Sequence, residues 1–207
     1  GIDKALLLKG SGIEIGDLDD PNVLVTPEQE LSVMRKVVKL VPDQRIGLII
    51  GRDYHTGVIG KLGVAAISSD TILDAIKILF QFTELLMTYF HFDLRVKDRL
   101  VFLRMDELLD LKDLRRFVCE REFASIYRIA CDTIGASFRF VELRIAYPKP
   151  PYAAYYSKIF QCPVVFNADH HEIVFDHQYL FKQLPMANPL TRTIYEKECK
   201  QLSQRIR

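Results

Sequence analysis

The apolar residues of this chain change their spacing once, and that change limits the folds open to it. From Leu31 to Leu86 they recur at helical intervals; from Phe90 they begin to alternate residue by residue. A 3.6-residue period needs helices, and a two-residue period needs strands with one face buried. The chain must therefore pack a helical first half against a second half that contains a sheet.

The helical half is punctuated by local signals. Ile2 to Leu8 is a short apolar run that stops at Gly10-Ser11-Gly12, and Gly16 to Asn22 reads as a polar loop. Thr26-Pro27-Glu28-Gln29 starts a helix. Thr26 can cap it, Pro27 suits its first position, and Gln29 can reach back to close a capping box. Leu31, Met34, Val37, Val38 and Val41 follow on one stripe, which Pro42 stops. Arg45 to Ile50 is a short apolar segment closed by Gly51. Gly57, Gly60 and Gly63 recur every third residue and are expected to open one helical face to a helix or a ligand. Ser69 or Asp70 is expected to cap the next helix, whose stripe runs from Ile72 through Phe80 to Leu86.

In the second half Phe90, Phe92, Leu94 and Val96 alternate with polar residues. Lys97-Asp98-Arg99 turns, and Val101, Leu103 and Met105 alternate on the way back, which predicts an antiparallel hairpin. Leu111 to Ile134 reads as a long helix burying Cys119, Phe123, Ile126, Tyr127, Ala130 and Ile134, with Gly135 as its stop. Glu120 and Glu122, beside Arg115, Arg116 and Arg121, read as its solvated ion-pair face. Phe138 to Tyr147 is a third strand, with Val141, Leu143, Ile145 and Tyr147 on one face and Phe138, Phe140, Glu142 and Arg144 on the other. Tyr152 to Phe160 reads as a short aromatic helix. Pro163 to Phe166 and Glu172 to Phe175 read as a closing hairpin around Asn167 to His170. Asn188-Pro189 opens a last helix with Tyr195, Cys199, Leu202 and Ile206 on one stripe. The expectation is an α+β fold, a helical N-terminal half packed on an antiparallel sheet with long helices. It divides into one domain over 1–187, helical to about residue 88 and α+β from about 89, and a C-terminal helix over 188–207.

Composition removes several function classes. Lys and Arg number 28 against 27 Asp and Glu, a net charge of +1, so the chain lacks the basic excess of a nucleic-acid grip. No apolar run reaches the ~18 residues of a membrane span. The four cysteines form no CxxC pair, and none has a His at ligand spacing, so they read as reduced packing thiols of a cytosolic protein with no metal or cofactor. His55, His91, His170, His171 and His177 make no HExxH, and His170 and His171 read as turn residues. The glycine segments lack both the P-loop and the dinucleotide-binding pattern, and there is no GxSxG. No catalytic set is expected. Gly1 rather than Met opens the chain, so a longer natural chain is expected.

One ordered set of segments resembles a known family. It begins with Gly47-Leu48-Ile49-Ile50-Gly51-Arg52, Gly57 to Gly63, and Ser68 to Ala75. It continues with Tyr147-Pro148, Tyr155-Tyr156, Phe160-Gln161-Cys162-Pro163-Val164-Val165-Phe166, Ile173 to Asp176, Leu184-Pro185 and Asn188-Pro189. Nearly the whole chain is similar to the arabinose-binding-type N-terminal domain of AraC-type bacterial transcription regulators. That resemblance implies a module that senses a small molecule and dimerises, with a DNA-binding helix-turn-helix domain following beyond Arg207. It does not imply arabinose, and it carries no ligand-contacting residue over. A small enzyme or enzyme accessory domain with a buried aromatic cavity is the competing reading.

Patterning places the ligand between the helical half and the sheet, where pockets favour such junctions. Tyr54, Ile59, Leu62 and Phe80 from the helical half, and Phe92, Tyr127 and Phe140 from the second, are expected as apolar walls. Arg144 is expected as the polar anchor, which suits an apolar or amphipathic ligand, a carboxylate among them. A sugar would want Trp and more amide side chains, and the chain has no Trp. Tyr195, Cys199, Leu202 and Ile206 are expected as an exposed stripe for a homodimer, with the Leu111 to Ile134 helix as the alternative.

Overall fold

The computed structural model describes residues 2–20, 23–135 and 137–206. Gly1, Ala136, Arg207 and Pro21-Asn22, which end the expected polar loop, lie outside the described residues.

Among the described residues five helices build the first half: α1 (Lys4–Leu8), α2 (Pro27–Leu40), α3 (Ile46–Arg52), α4 (Gly60–Ile67) and α5 (Ile72–Gln81). The capping box of α2 is formed as read. Thr26 Oγ1 accepts from the Gln29 N–H at 3.3 Å, and Gln29 Oε1 accepts from the Thr26 N–H at 2.9 Å. The Gln29 amide also donates to Gly12 O at 2.8 Å, tying α2 to the glycine turn after α1.

Four local readings of this half are corrected. The expected loop after Gly12 contains a 3-10 turn, Ile15–Asp19. Gly51 does not close a segment; it lies inside α3, where Gly47 and Gly51 let α3 rest on a later helix. The glycine series does not share one helical face, because Gly60 has φ +58° and breaks the path between a 3-10 turn, Thr56–Ile59, and α4. The α5 cap is Thr71, whose hydroxyl accepts from the Asp74 N–H at 3.2 Å, while Ser69 Oγ donates back to Ala65 O at the end of α4.

The sheet has five strands in the order β1 (Phe90–Lys97), β2 (Leu100–Glu107), β5 (His171–Asp176), β3 (Phe140–Ile145), β4 (Val164–Phe166). β1 and β2 form the expected hairpin, in register from Phe90↔Glu107 to Lys97↔Leu100. Asp98 and Arg99 both take positive φ, 50° and 65°, as a two-residue hairpin turn requires. β5 sits at the centre, antiparallel to β2 and β3.

The expected closing hairpin is absent, since β4 pairs parallel with β3 and never with β5. Asn167 and Ala168 donate to Tyr147 O and Ile145 O, so the link wraps the end of β3 before entering the sheet's centre. Alternation reveals a strand but not its neighbour.

β3 also differs in which face it buries. The register steps from Phe140↔Phe175 to Glu142↔Val174, leaving Val141 as the extra residue of a β-bulge. One inserted residue reverses the parity of a strand. Phe140 therefore joins Leu143 and Ile145 on the inner face, Val141 is exposed, and Glu142 and Arg144 lie on the outer face without the two phenylalanines.

Against the inner face lies α6 (Arg115–Ile134), entered through a 3-10 turn and stopped at Gly135, φ 112°. Phe117, Val118, Cys119, Phe123, Ala124 and Tyr127 are all buried, spread around the whole circumference of the helix. A helix apolar all round belongs inside a protein. Here α3 covers one side, the sheet another, and α7 (Ala154–Phe160) closes over Phe140 and Tyr127 through Phe160. One core runs through both halves, from Leu31 and Leu48 to Ile173 and Phe175.

A smaller core joins Leu62, Ala65, Ile78 and Phe82 to Cys199 of α8 (Pro189–Ile206). Asn188 Oδ1 accepts from the Thr191 N–H at 3.0 Å, the cap expected there. No helix among the described residues is long and apolar enough to cross a membrane.

Candidate functional site

Three consecutive charged residues of α6 are buried: Glu120 at 1% exposure, Arg121 at 4% and Glu122 at 9%. This overturns the solvated-face reading. Residues one apart on a helix point about 100° from each other, so the three side chains leave the helix in three directions. Each burial costs desolvation and each side chain has found a partner of its own.

Glu120 Oε1 accepts from Tyr156 OH at 2.5 Å and from Tyr152 OH at 2.7 Å. Tyr147 OH sits 2.9 Å from Tyr156 OH and extends the chain of hydroxyls. Arg121 Nη1 pairs with Glu30 Oε1 of α2 at 3.1 Å, and Nη2 donates to Met87 O at 3.4 Å. Glu122 Oε1 accepts from Thr88 Oγ1 at 3.0 Å. Among the described residues that hydroxyl is its one side-chain donor, and no Lys, Arg or His stands within ion-pair distance of it. Burial lifts the Glu120 and Glu122 carboxyls from 4.5 to about 7, against the opposing pull of the tyrosine hydroxyls on the first and of Arg121 and Thr88 on the second.

Glu122 faces a cavity of about 230 Å³ between the helical half and the sheet. Its walls are Ile72, Ala75, Ile76, Leu79 and Phe80 of α5, Ile126, Ile129 and Ala130 of α6, and Phe92, Leu103, Ile173 and Phe175 of the sheet. Met87, more than half exposed, stands at its rim. Among the described residues Glu122 is the one charged residue in the wall, which otherwise offers a few hydroxyls, and no Asn, Gln or Asp lines it. The Ser125 hydroxyl in that wall is already given to Glu122 O at 2.9 Å.

Five of the eight residues read from the sequence line this cavity: Tyr54, Ile59, Phe80, Phe92 and Phe140. Leu62 does not, because it points into the smaller core with Ala65 and Cys199. Tyr127 does not, because its ring packs the other way, 4.9 Å from Phe140 and 5.7 Å from Phe160. Arg144 is on the outer sheet face, bridging Glu142 at 2.5 Å and Glu172 at 2.6 Å, and cannot anchor anything in the cavity. Glu122 was missed. Its signal lay in the helical wheel, where the apolar residues from Phe117 to Tyr127 leave no arc for a solvated face.

The structure also gathers a group that spacing along the chain conceals. His171 is a buried strand residue, not a turn, and Glu107, Cys119 and His171 bring their polar atoms within 4.8 Å of one another. The Ala146 N–H donates to His171 Nδ1 at 3.2 Å, and burial lowers the ring's pKa and holds it neutral. The ring proton of that tautomer sits on Nε2, 3.4 Å from Cys119 Sγ. The nitrogen a metal would need is therefore the protonated one, and burial keeps Cys119 a thiol.

The stripe on α8 is largely spent within the chain. Cys199 is fully buried and Tyr195 packs on the same small core, while Leu202 is half-buried and Ile206 is exposed. Lys61–Glu198 at 2.6 Å and Arg192–Asp70 at 3.3 Å pin α8 to the helical half, and Ser203 donates to Glu84. The exposed apolar residues of α8 are Leu190, Ile194 and Ile206. The buried α6 offers no free face over residues 117–125.

Comparison with known proteins agrees with this architecture. A family model described as the arabinose-binding domain of AraC transcription regulators, N-terminal, matches residues 1–184. An ornithine utilization regulator of Pseudomonas aeruginosa is 26% identical over 202 residues, covering 98% of this chain and 60% of the relative. An uncharacterized helix-turn-helix-type transcriptional regulator of Mycobacterium tuberculosis is 31% identical over 131 residues, 61% of this chain and 37% of that protein. The crystal structure of the transcriptional regulator CdpR from Pseudomonas aeruginosa superposes with a TM-score of 0.69 at 18% identity, covering 83% of this chain and 56% of that one. The chain thus spans 60% or less of the length of these relatives.

Proposed function

Because this chain belongs to the family of arabinose-binding-type N-terminal domains of AraC transcription regulators, we propose that it is the effector-sensing and dimerising module of such a regulator, acting on a helix-turn-helix domain C-terminal to it. The observation that carries the proposal is the cavity of about 230 Å³ at the junction of the helical half and the sheet. An effector seated there touches α5, α6 and the sheet at once, so it can favour one arrangement of these elements over another, as a switch requires. The apolar wall, poor in amides and without Trp, favours an apolar or amphipathic effector over a sugar.

In this proposal residues 1–187 form the sensing and dimerising domain, and α8 leads toward the DNA-binding domain. A net charge of +1 leaves little counterion release to drive DNA binding by this chain itself. The protein works in the cytoplasm, where its operator lies, and is not an enzyme. In support, Ser125, the one serine of the cavity wall among the described residues, has its hydroxyl committed to the backbone. A homodimer suits paired half-sites, and Leu190, Ile194 and Ile206 supply apolar surface on α8 for it.

A thermal-shift screen of metabolites against the unmodified chain and Ala130→Trp tests the reading. A ligand at a hundredfold excess over its Kd stabilises by about 2.7 kcal/mol. A hit that vanishes in Ala130→Trp supports the cavity; a hit that survives it places the effector elsewhere and overturns this assignment.

A further inference from the structure

The cavity's polar atoms are too few to be incidental to what enters it. Among the described residues its wall is hydrocarbon apart from a few hydroxyl side chains, Tyr54, Thr56, Thr88, Ser125 and Thr133, and one charged group, Glu122. The nearest guanidinium, Arg121, turns away to Glu30 and Met87 O, so it does not neutralise Glu122 by contact. Thr88 fills one lone-pair direction of one oxygen. A carboxylate can accept about four hydrogen bonds, and this one is left facing apolar space with most of that capacity unused. Among the described residues no positive group in the wall balances its charge.

We propose that the cavity takes a hydrophobic monoamine, an aromatic ring or short alkyl chain ending in one ammonium group, with Glu122 as its counter-ion. The inference rests on the cavity being the effector site. The hydrocarbon part fills the space between Phe80, Phe92 and Ile126, and the ammonium meets Glu122 beside the Thr88 and Ser125 hydroxyls. An anionic ligand finds no cation among the described wall residues. The volume sets the size: an engineered apolar cavity of roughly 150 Å³ takes a benzene, so a cavity of about 230 Å³ has room for a ring with a short chain.

Proton linkage gives an independent signature. Burial keeps the carboxyl of the empty cavity largely protonated below about pH 7. The groups acting on it are Arg121 of its own helix, Glu30 of α2, and the Thr88 hydroxyl ahead of β1. An arriving ammonium ion pairs with the carboxylate and displaces its proton to the buffer, one proton per ligand at most.

The test is calorimetric titration of the unmodified chain with three probes of one shape: phenethylamine, 2-phenylethanol and 3-phenylpropanoate. Phenethylamine should bind at least tenfold more tightly than the alcohol, and the carboxylate most weakly. At pH 6 the amine's apparent enthalpy should differ between buffers of different ionisation enthalpy, the sign of a released proton, and the alcohol's should not. Glu122→Gln should erase the amine's advantage over the alcohol and the buffer effect. Alcohol binding with no gain from the ammonium, or tighter binding of the carboxylate, overturns the monoamine inference and leaves the cavity reading intact. If none of the three binds, both fall. The ranking on unmodified protein decides the matter even if Glu122→Gln does not fold.

Discussion

Gly51 lies directly on the Arg121 carbonyl: a Cβ at position 51 would overlap that oxygen and stand 2.8 Å from Ala124 Cβ. Gly47, one turn earlier, is nearly as close to α6, with a virtual Cβ 2.6 Å from Phe117 O and 2.9 Å from Glu120 Cβ. The two glycines let α3 lie backbone to backbone on the helix that carries Glu120, Arg121 and Glu122. The position of α6, and so of the cavity wall, depends on that contact.

Replacing Gly51 with alanine should therefore destabilise the fold. Overpacking by one methyl against rigid backbone costs about 1–3 kcal/mol. Gly16→Ala, where nothing lies within 4 Å of the new methyl, is the matched control. Urea unfolding of both variants checks this. Equal midpoints for the two would show that α3 and α6 separate easily.

Stability should carry a pH signature from the buried carboxyls. Glu120 and Glu122 have folded pKa values near 7, raised by burial from 4.5. An acid raised on folding holds its proton longer in the native state, so its contribution is full below about pH 4.5 and is lost as pH climbs through about 7. The loss is on the order of 3 kcal/mol per group. His171, whose pKa is lowered by burial, works oppositely, adding stability as pH rises toward 6.5. The comparison with Glu122→Gln isolates one carboxyl. The variant should gain on the unmodified chain between pH 5 and pH 8 in urea melts, and parallel pH profiles would contradict the burial of Glu122.

The hydroxyl chain makes a separate prediction. Tyr156 is fully buried, and its hydroxyl links Glu120 to Tyr147. Tyr156→Phe keeps the ring and strands those partners, at a cost of about 1–3 kcal/mol. Tyr155, half-buried with the Arg45 guanidinium 4.7 Å from its ring centre, gives the contrast, and Tyr155→Phe should shift Tm much less.

Arg144→Ala should leave the affinity of any cavity ligand unchanged. Arg144 is on the far side of the sheet, and its two ion pairs are partly solvated, with 38% of the side chain exposed. Such pairs contribute about 0–1 kcal/mol, so the variant should fold. A tenfold loss of affinity in titration would mean that the ligand sits on the outer face.

Much of this architecture was legible in the residues themselves because its causes are local. A capping box is four residues long, so Thr26-Pro27-Glu28-Gln29 announces α2 without help from elsewhere. The β1–β2 hairpin follows from alternation on either side of a two-residue turn, and the stop of α6 from Gly135. The junction of the halves could be read as the site, and Tyr54, Ile59, Phe80, Phe92 and Phe140 with it, because amphipathic faces must meet somewhere.

Tertiary structure decided what depends on distant neighbours. The charges at 120–122 read as solvated until α2, α3, α7 and the segment at Thr88 surround them, and only then does Glu122 become the one charge that the described residues bring to an apolar wall. The bulge at Val141 moves Phe140 inward and Arg144 outward, and nothing in an alternating pattern marks an extra residue. Hydrophobic periodicity records whether a residue is buried on average over its element. It does not record which segment buries it, and the chemistry of this site is set by that second fact.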